Sequence, residues 1–411
     1  MRFLNNIFKK SCIWVFCTII HFSCSNKSNK DVENIPQGQS LKVSELRLEG
    51  IKLEEILIDN FNSKISTNIV SEIEYVKLET SPESLLGSVD KLICTDDYIY
   101  VLDNTFSNNL FIFSRKGKFI SKISNKGEGP NEINQPYDFI VDIKKKEIVV
   151  YDGVQNKVVF YDYFLRPQRQ KKLFVWFKNF RQLNTGKILV SSLGFTKLDD
   201  IANYQFLELD TTFNVIKKGI PFNENYNYDF TVRDNFHQNN SNSCYWASPF
   251  QNQIYCIDSS ANVRGGYKLN FEKLEIPNDL YKKDISEIYK YSQDHNKYVY
   301  LGNFAINTKT AFFLLSTRLT KDLIYIFKDL NSPKYNFGKI ISDNKSLPLF
   351  SYPISSYKDK FCSIIESATI KSFGENKQFI STLNLSKELA EIINTTKESD
   401  NPVIQIYKIT P

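Results

Sequence analysis

Histidine is scarce in this sequence. The 411 residues include three histidines, and after residue 24 only His237 and His295 remain. A zinc site needs three or four ligands, and two distant histidines do not provide them. His237 lies in a polar segment and is expected to be solvated, so no histidine-based acid–base mechanism is predicted. The sequence also has no P-loop, dinucleotide-binding fingerprint or nucleophile elbow. It therefore predicts neither a metal nor a cofactor.

The seven cysteines do not indicate a metal either, because no pair has the spacing of a zinc knuckle. Three of them lie within the first 24 residues. Among the others, Cys244 and Cys256 flank a predicted hairpin and could form a disulfide in an exported protein. The alternative is that both are buried free thiols, which are common in protein cores. The spacing leaves both alternatives open.

Long apolar runs and a strong charge of one sign are also missing. After residue 24, no segment is apolar for the roughly 20 residues that a transmembrane helix needs. The formal net charge is +6, and three of the positive charges (Arg2, Lys9 and Lys10) precede residue 24. The remaining charge is small and evenly spread, so a nucleic-acid partner is not predicted.

The N-terminus is organised like an export signal. Basic residues precede a short apolar run at 12–20, which is followed by Ser23 and Cys24. A small residue directly before a cysteine resembles the lipobox of bacterial lipoproteins, although His21 stands where that motif has an aliphatic residue. We predict a signal peptide over 1–23, lipidation of Cys24 and a flexible tether over 24–68. Ordinary secretory cleavage and an uncleaved anchor are the alternatives.

What the sequence has in quantity is aromatic residues, with 32 Phe and 23 Tyr, which favour β-structure. Four apolar strand-like segments each end in a polar turn residue. Those turn residues are Ser114, Asp162, Asp210 and Asp258, and each is 48 residues from the next. Several short strands fit within one period, and four antiparallel strands in that length are typical of a propeller blade. The Asp residues are expected to be structural, because Asp side chains accept hydrogen bonds from turn amides.

The same pattern recurs at Asp329 and Lys408, which brings the count to six blades. Helical insertions at 277–296, with Asn278 as N-cap, and near 385–393 account for the longer intervals. The last anchor is close to the C-terminus, so the sixth blade lacks an outer strand, and residues 72–79 are expected to supply it. We predict an all-β, six-bladed β-propeller over residues 69–411, with four-stranded antiparallel blades and two short helical insertions.

Several of these segments resemble a known family. They are 76–79 (VKLE), 99–103 (IYVLD), 113–117 (FSRKG), 127–132 (GEGPNE) and 401–408 (NPVIQIYK). Together they are similar to the six-bladed β-propeller lipoproteins of Gram-negative bacteria, which are related to NHL and TolB-type propellers. The resemblance implies an outer-membrane lipoprotein of the cell envelope and leaves the ligand undefined.

The loop around residues 127–132 is the most specific local motif. Its glycines permit close backbone approach, and Lys126, Glu128 and Glu132 could present charge to a ligand at the channel. The alternative is a structural turn between blades. Arg233, just before the inner strand of blade 4, could hold a carboxylate or sulfate, or could pair with Asp234 at the surface.

Two functions remain open at this point. The first is a membrane-tethered binding or scaffold propeller that holds a glycan, peptide or protein ligand on its channel face. Such a propeller is expected to be a monomer. The second is a propeller-type hydrolase or lyase acting on a carbohydrate or peptide, with carboxylates such as Glu128 and Glu132 near the channel. The lack of a catalytic set favours the first.

Overall fold

The computed structural model describes residues 43–60, 62–194, 199–226, 234–238, 243–317 and 322–411. The strands in chain order are β1 (Ser44–Glu45), β2 (Glu54–Leu57), β3 (Lys64–Ser66), β4 (Val70–Lys77), β5 (Lys91–Cys94), β6 (Tyr98–Asp103), β7 (Asn109–Ser114), β8 (Phe119–Lys122), β9 (Pro136–Asp142), β10 (Glu147–Asp152), β11 (Lys157–Asp162), β12 (Pro167–Lys172), β13 (Phe177–Gln182), β14 (Ile188–Ser192), β15 (Tyr204–Leu209), β16 (Val215–Pro221), β17 (Phe236–Gln238), β18 (Cys244–Ala247), β19 (Gln253–Ile257), β20 (Val263–Asn270), β21 (Val299–Ile306), β22 (Thr310–Ser316), β23 (Ile324–Asp329), β24 (Tyr335–Ile341), β25 (Ser355–Tyr357), β26 (Lys360–Ile365) and β27 (Val403–Ile409).

These strands form six sheets, which confirms the six-bladed, all-β propeller. Blades 1 and 2 are β5–β8 and β9–β12, and each is a four-stranded antiparallel sheet. Blades 3, 4 and 5 are β13–β16, β17–β20 and β21–β24, each with a fifth strand added at its outer edge. Blade 6 consists of β25, β26 and β27 followed by β4, which pairs antiparallel with β27. The innermost strands are β5, β9, β13, β17, β21 and β25, and in blade 6 the outermost strand is β4 from the N-terminal part of the chain.

The fifth strands come from the segment 44–66, which we call the belt. β1, β2 and β3 pair in parallel with the outer strands β16, β20 and β24 respectively. This corrects the boundary of the predicted tether, which extended to residue 68. The belt strands are only two to four residues long, so they show no alternating pattern, and it is the free edges of three blades that hold them in place.

The helices are α1 (Asp199–Ala202), α2 (Ile285–His295), α3 (Ser367–Gly374), α4 (Lys377–Ile380) and α5 (Lys387–Thr395), with short 3-10 helices at Thr67–Ile69 and Asn278–Lys282. The first predicted insertion is therefore a 3-10 turn followed by α2, whose N-cap is Asp284 rather than Asn278. The second contains three helices. Among the described residues, no helix is long and apolar enough to cross a membrane.

The core contains one apolar cluster at each interface between neighbouring blades, and two further clusters where the helical insertions pack against the blades. For example, Tyr100 and Ile112 of blade 1 pack with Phe139 and Val159 of blade 2. Because strand residues alternate between the two faces of a sheet, every blade contributes side chains to two such clusters. Cys244 faces the cluster between blades 3 and 4, whereas Cys256 packs against the one between blades 4 and 5. The two thiols lie on opposite faces of one sheet, and both are free.

The turn residues that revealed the repeat are structural, as predicted. One carboxylate oxygen of Asp162 accepts from the amides of Phe164 and Arg166, at 2.9 and 3.0 Å. Asp210 and Asp258 make the same pair of bonds to the amides two and four residues further on. A carboxylate at this position thus closes the turn between the third and fourth strands of a blade.

Candidate functional site

Successive inner strands contact one another around the channel, and they begin at one face of the ring. The connections from an outer strand to the next inner strand emerge on that face, and so do those from the second to the third strand of a blade. Lys126 belongs to the first kind of connection and donates a hydrogen bond to the carbonyl of Asn108, which belongs to the second kind. We call this side of the ring the loop face.

Four ionisable side chains from or next to the inner strands of blades 1 to 4 meet in the channel. We call this set, Lys91, Asp138, Arg181 and Asp234, the channel cluster. Lys91 begins β5, Asp138 is the third residue of β9, Arg181 is the fifth residue of β13, and Asp234 lies two residues before β17. Because inner strands start at the loop face, Lys91, Asp138 and Asp234 lie towards that end of the channel.

Asp138 is completely buried and has no free oxygen. The ammonium of Lys91 lies 2.5 Å from its Oδ1, and the amide of Phe180 donates to its Oδ2 at 2.8 Å. Arg181 approaches the same Oδ2 at 3.6 Å. Burial raises the pKa of Asp138, and the charges of Lys91 and Arg181 oppose that shift. A buried carboxylate with this many donors is a structural tie between blades 1, 2 and 3.

Asp234 is also saturated. Arg181 donates to its Oδ2, Lys91 lies 3.8 Å from the same oxygen, and the amide of Phe236 donates to Oδ1 at 3.0 Å. Burial alone would raise its pKa, but Arg181 and Lys91 outweigh burial and the pKa is lowered. Arg181 in turn donates to the carbonyls of Phe180 and Phe236, at 2.7 and 3.0 Å. The charged groups of the cluster thus pair with one another and with backbone groups across four blades.

A further basic residue, Lys178, lies close to the channel cluster. It is the extra residue of a β-bulge in β13, because Phe177 pairs with Ser192 and Asn179 with Ser191. Its half-buried side chain makes no ion pair or hydrogen bond with any residue in the described part of the chain. Burial lowers the pKa of Lys178 to about 7, against the pull of Asp234 and Asp138. With Lys178 included, three cationic side chains face two carboxylates.

His237 stands next to this group and corrects the expectation of a solvated histidine. It is buried on β17, with its ring 4.7 Å from that of Phe304 on blade 5. Burial lowers its pKa to about 4, although Asp234 favours the charged form. The imidazole is therefore neutral at physiological pH. Among the described residues, no group of three His, Cys, Asp or Glu side chains could hold a metal ion.

The predicted site loop at 127–132 is on the loop face but bonds to no member of the channel cluster. Glu132 is folded into the loop, where its Oε2 accepts from the amide of Gly129 at 2.8 Å. Gly127 has a φ of +147°, a conformation that favours glycine, and a Cβ there would lie 2.1 Å from that oxygen. Lys126 is occupied by the Asn108 carbonyl, while exposed Glu128 accepts only a long bond from Asn134, at 3.4 Å.

Arg233 lies outside the described residues, as does Cys24. Its predicted partner Asp234 belongs to the channel cluster and pairs with Arg181 and Lys91. Sequence reasoning missed Lys91, Asp138, Lys178 and Arg181. The available signal was an ionisable residue within an otherwise apolar inner strand: Lys91 and Asp138 are 47 residues apart, which is close to the repeat period.

Four exposed apolar side chains accompany the cluster on the loop face. They lie in connections that emerge on this face, and their exposed fractions are 50% for Leu85, 68% for Phe106, 52% for Val154 and 54% for Phe174. Phe106 and Val154 occupy equivalent loops of blades 1 and 2. Ile143 and Phe164, exposed to 63% and 55%, lie in connections on the opposite face, so exposed apolar groups occur on both faces of the ring.

Residues 49–408 match a family described as a domain of unknown function, DUF4934. No functionally curated protein matches the chain. Among solved structures, a Bacteroides fragilis protein described as exported is 18% identical, with a TM-score of 0.66 over 88% of this chain and 100% of that chain. A DUF4221 member from Bacteroides vulgatus is 10% identical, with a TM-score of 0.48 over 83% and 97%. The virginiamycin B lyase of Staphylococcus aureus is 10% identical, with a TM-score of 0.41 over 66% and 75%. At these identities, the likeness to the first structure shows a shared fold.

Proposed function

The chain belongs to the DUF4934 family of domains of unknown function, and from that premise we propose that it is a non-catalytic binding propeller that takes an acidic peptide on its loop face. The observation that carries the proposal is Lys178. Among the described residues near the channel carboxylates, Lys178 is a cation that neither of them pairs with, and it is the bulged residue of β13. A ligand carboxylate would supply its missing partner.

The apolar side chains on the same face favour a peptide as the source of that carboxylate. Phe106 and Phe174 offer large apolar surfaces beside a cationic channel, and aromatic groups next to a charged centre are typical of recognition surfaces. Of the two carboxylates expected for the alternative, a hydrolase or lyase, Glu132 closes its own loop, whereas Glu128 is exposed and accepts only a long bond from Asn134. In the channel, Asp138 is saturated. This arrangement supports binding over catalysis.

We further propose that the propeller is a monomeric lipoprotein of the cell envelope, held at the outer membrane by lipid on Cys24. Support comes from the leader over residues 1–23 and from the exported Bacteroides fragilis protein that shares the fold. Residues 24–42 would then form the tether. Cys24→Ala should move the protein from the membrane fraction to the soluble fraction, and unchanged fractionation would contradict the lipid anchor.

The binding proposal can be tested with a library of short peptides that combine apolar and acidic residues, each with a free and an amidated C-terminus. Lys178→Gln should weaken binding of the selected peptide about 10- to 100-fold, the range expected for one charge-assisted hydrogen bond. Lys144→Gln is the matched control, because exposed Lys144 lies in the β9–β10 turn on the opposite face. Equal loss in both variants, or in neither, would refute the assignment.

Binding should also depend on pH in a defined direction. With the pKa of Lys178 lowered to about 7 in the free protein, its ammonium is lost as the pH rises through that value. Affinity for a carboxylate should then be roughly tenfold lower at pH 8 than at pH 6. The pKa of His237 is about 4, so His237 does not titrate in this range. The dependence should disappear in Lys178→Gln, as measured by calorimetry.

A further inference from the structure

Two of the described cysteines contact each other across the junction of the first and last blades. Cys94 ends the inner strand of blade 1, and Cys362 lies on the second strand of blade 6. Both are buried, with 7% and 0% of their surface exposed, within one apolar cluster. Both thiols are free in the structure, and the side chain of Cys94 is close enough to Cys362 to raise its pKa. Cys244 and Cys256 face different blade interfaces and provide the contrast.

We propose that Cys94 and Cys362 form a disulfide that closes the propeller ring covalently between blades 1 and 6. The two side chains lie in one interface cluster, so the bond requires an approach of two neighbouring thiols rather than a rearrangement of the blades. An exported protein folds where disulfides form and persist. Each thiol loses its proton, one S–S bond forms, and the two electrons reduce a disulfide of a low-molecular-weight thiol or of an oxidoreductase to two thiols.

The position of the pair gives the bond a structural purpose. Blade 6 is completed by β4 from the N-terminal side and by β27 from the C-terminal side, so this blade depends on non-covalent pairing of the two ends of the chain. Val76 of β4 and Ile404 of β27 belong to the same apolar cluster as the two cysteines. A disulfide beside that pairing would restrain the opening of the ring at this junction.

In the folded protein the two thiols are protected from oxidants by burial, and this determines the stage of folding at which the bond forms. The contact with Cys94 and burial both raise the pKa of the Cys362 thiol well above its usual range. Since the thiolate is the reactive form, an oxidant added to the folded, reduced protein should react slowly. Oxidation should instead accompany folding, before the interface between blades 1 and 6 closes.

The test uses the full-length protein purified from the cell envelope, with free thiols alkylated at lysis. Peptide mapping without reductant should recover residues 94 and 362 in one linked peptide pair, and reductant should separate the pair. Reduction should lower the melting temperature by about 5 °C or more. The Cys94→Ser and Cys362→Ser variants should show the same lower melting temperature with and without reductant.

Cys244→Ser is the matched control, because that thiol is equally buried but lies at another blade interface. It should keep both the linked peptide and the response to reductant. Recovery of Cys94 and Cys362 as separately alkylated thiols would overturn the proposal, and so would a link between Cys244 and Cys256. Neither result bears on peptide binding at Lys178, which is a separate site.

Discussion

The outer edges of blades 3, 4 and 5 are covered, whereas those of blades 1 and 2, which we call bare, pair with no strand among the described residues. The outer strands of the covered blades pair with the belt strands β1, β2 and β3. The outer strand of blade 2, β12, reads PQRQKK, and nearly all of it is exposed to solvent. Unpaired strand edges invite association with other chains, and both covering strands and charged residues prevent it. One ring thus uses two different solutions to the same problem.

The two kinds of edge differ in their glycines. In the covered blades, a Cβ on Gly338 would lie 2.4 Å from the carbonyl oxygen of Ser63, and one on Gly219 would lie 2.6 Å from the Cβ of Leu46. Any side chain at these positions would push the belt away. The bare strands β8 and β12 contain no glycine. The comparison shows that the belt is a packed part of the fold, since its neighbours are adapted to it.

The largest expected effect comes from removing the belt. A variant lacking residues 25–69 loses Ile56, Ile58 and Ile65, all nearly completely buried in the clusters of blades 4 and 5. Each buried isoleucine contributes about 1.5–3 kcal/mol. We expect the melting temperature to fall by more than about 10 °C, or the protein to fail to fold, as measured by calorimetry.

A variant lacking only residues 25–42 is the control for that deletion. It keeps every belt strand and should melt like the full chain. If both deletions left the melting temperature unchanged, the belt would be dispensable, and blades 3 to 5 would be no different from blades 1 and 2.

A smaller effect is expected from a single side chain beneath the belt. Gly338→Val places a branched side chain against the backbone of Ser63 and Lys64. Overpacking of this kind costs roughly 1–3 kcal/mol, and hydrogen exchange should increase first in β3. Asn336→Val, an exposed position two residues earlier in the same strand, is the matched control. Equal effects of the two substitutions would mean that the belt tolerates displacement.

The difference between covered and bare edges also explains what the sequence could reveal. The 48-residue spacing from Ser114 to Asp258 predicts the blades because each turn repeats the same local chemistry. The belt has no such local signal, because β1 to β3 exist only through pairing with distant strands. The glycines at 219, 266 and 338 in three successive outer strands were the one available hint.

The candidate site shows the same limit. The sequence singled out Glu132 and Arg233 by local composition, but the structure uses Glu132 to close its own loop. The channel cluster forms because four inner strands, up to 143 residues apart from Lys91 to Asp234, converge on one axis. This convergence cannot be predicted from any single segment of the sequence. His237 was misplaced for the same reason, since its packing partner Phe304 comes from the next blade.

The smallest expected effect on stability concerns the bare edge, where charge should matter for association rather than for folding. Lys171 and Lys172 end β12. Lys171 is half-buried and donates to the carbonyl of Thr212 in blade 3, whereas Lys172 is exposed and makes no ion pair with a described residue. Replacing both lysines with Val should change the free energy of unfolding by about 1 kcal/mol or less, because one partly exposed hydrogen bond is lost. It would, however, leave an apolar, unpaired strand edge. We expect sedimentation to show association that increases with concentration. The matched control is Lys144→Val with Lys145→Val, which removes the same charge from a turn that offers no free edge. If that control associates to the same extent, net charge rather than edge protection keeps blade 2 apart from its neighbours, and the contrast with the belted blades loses its basis.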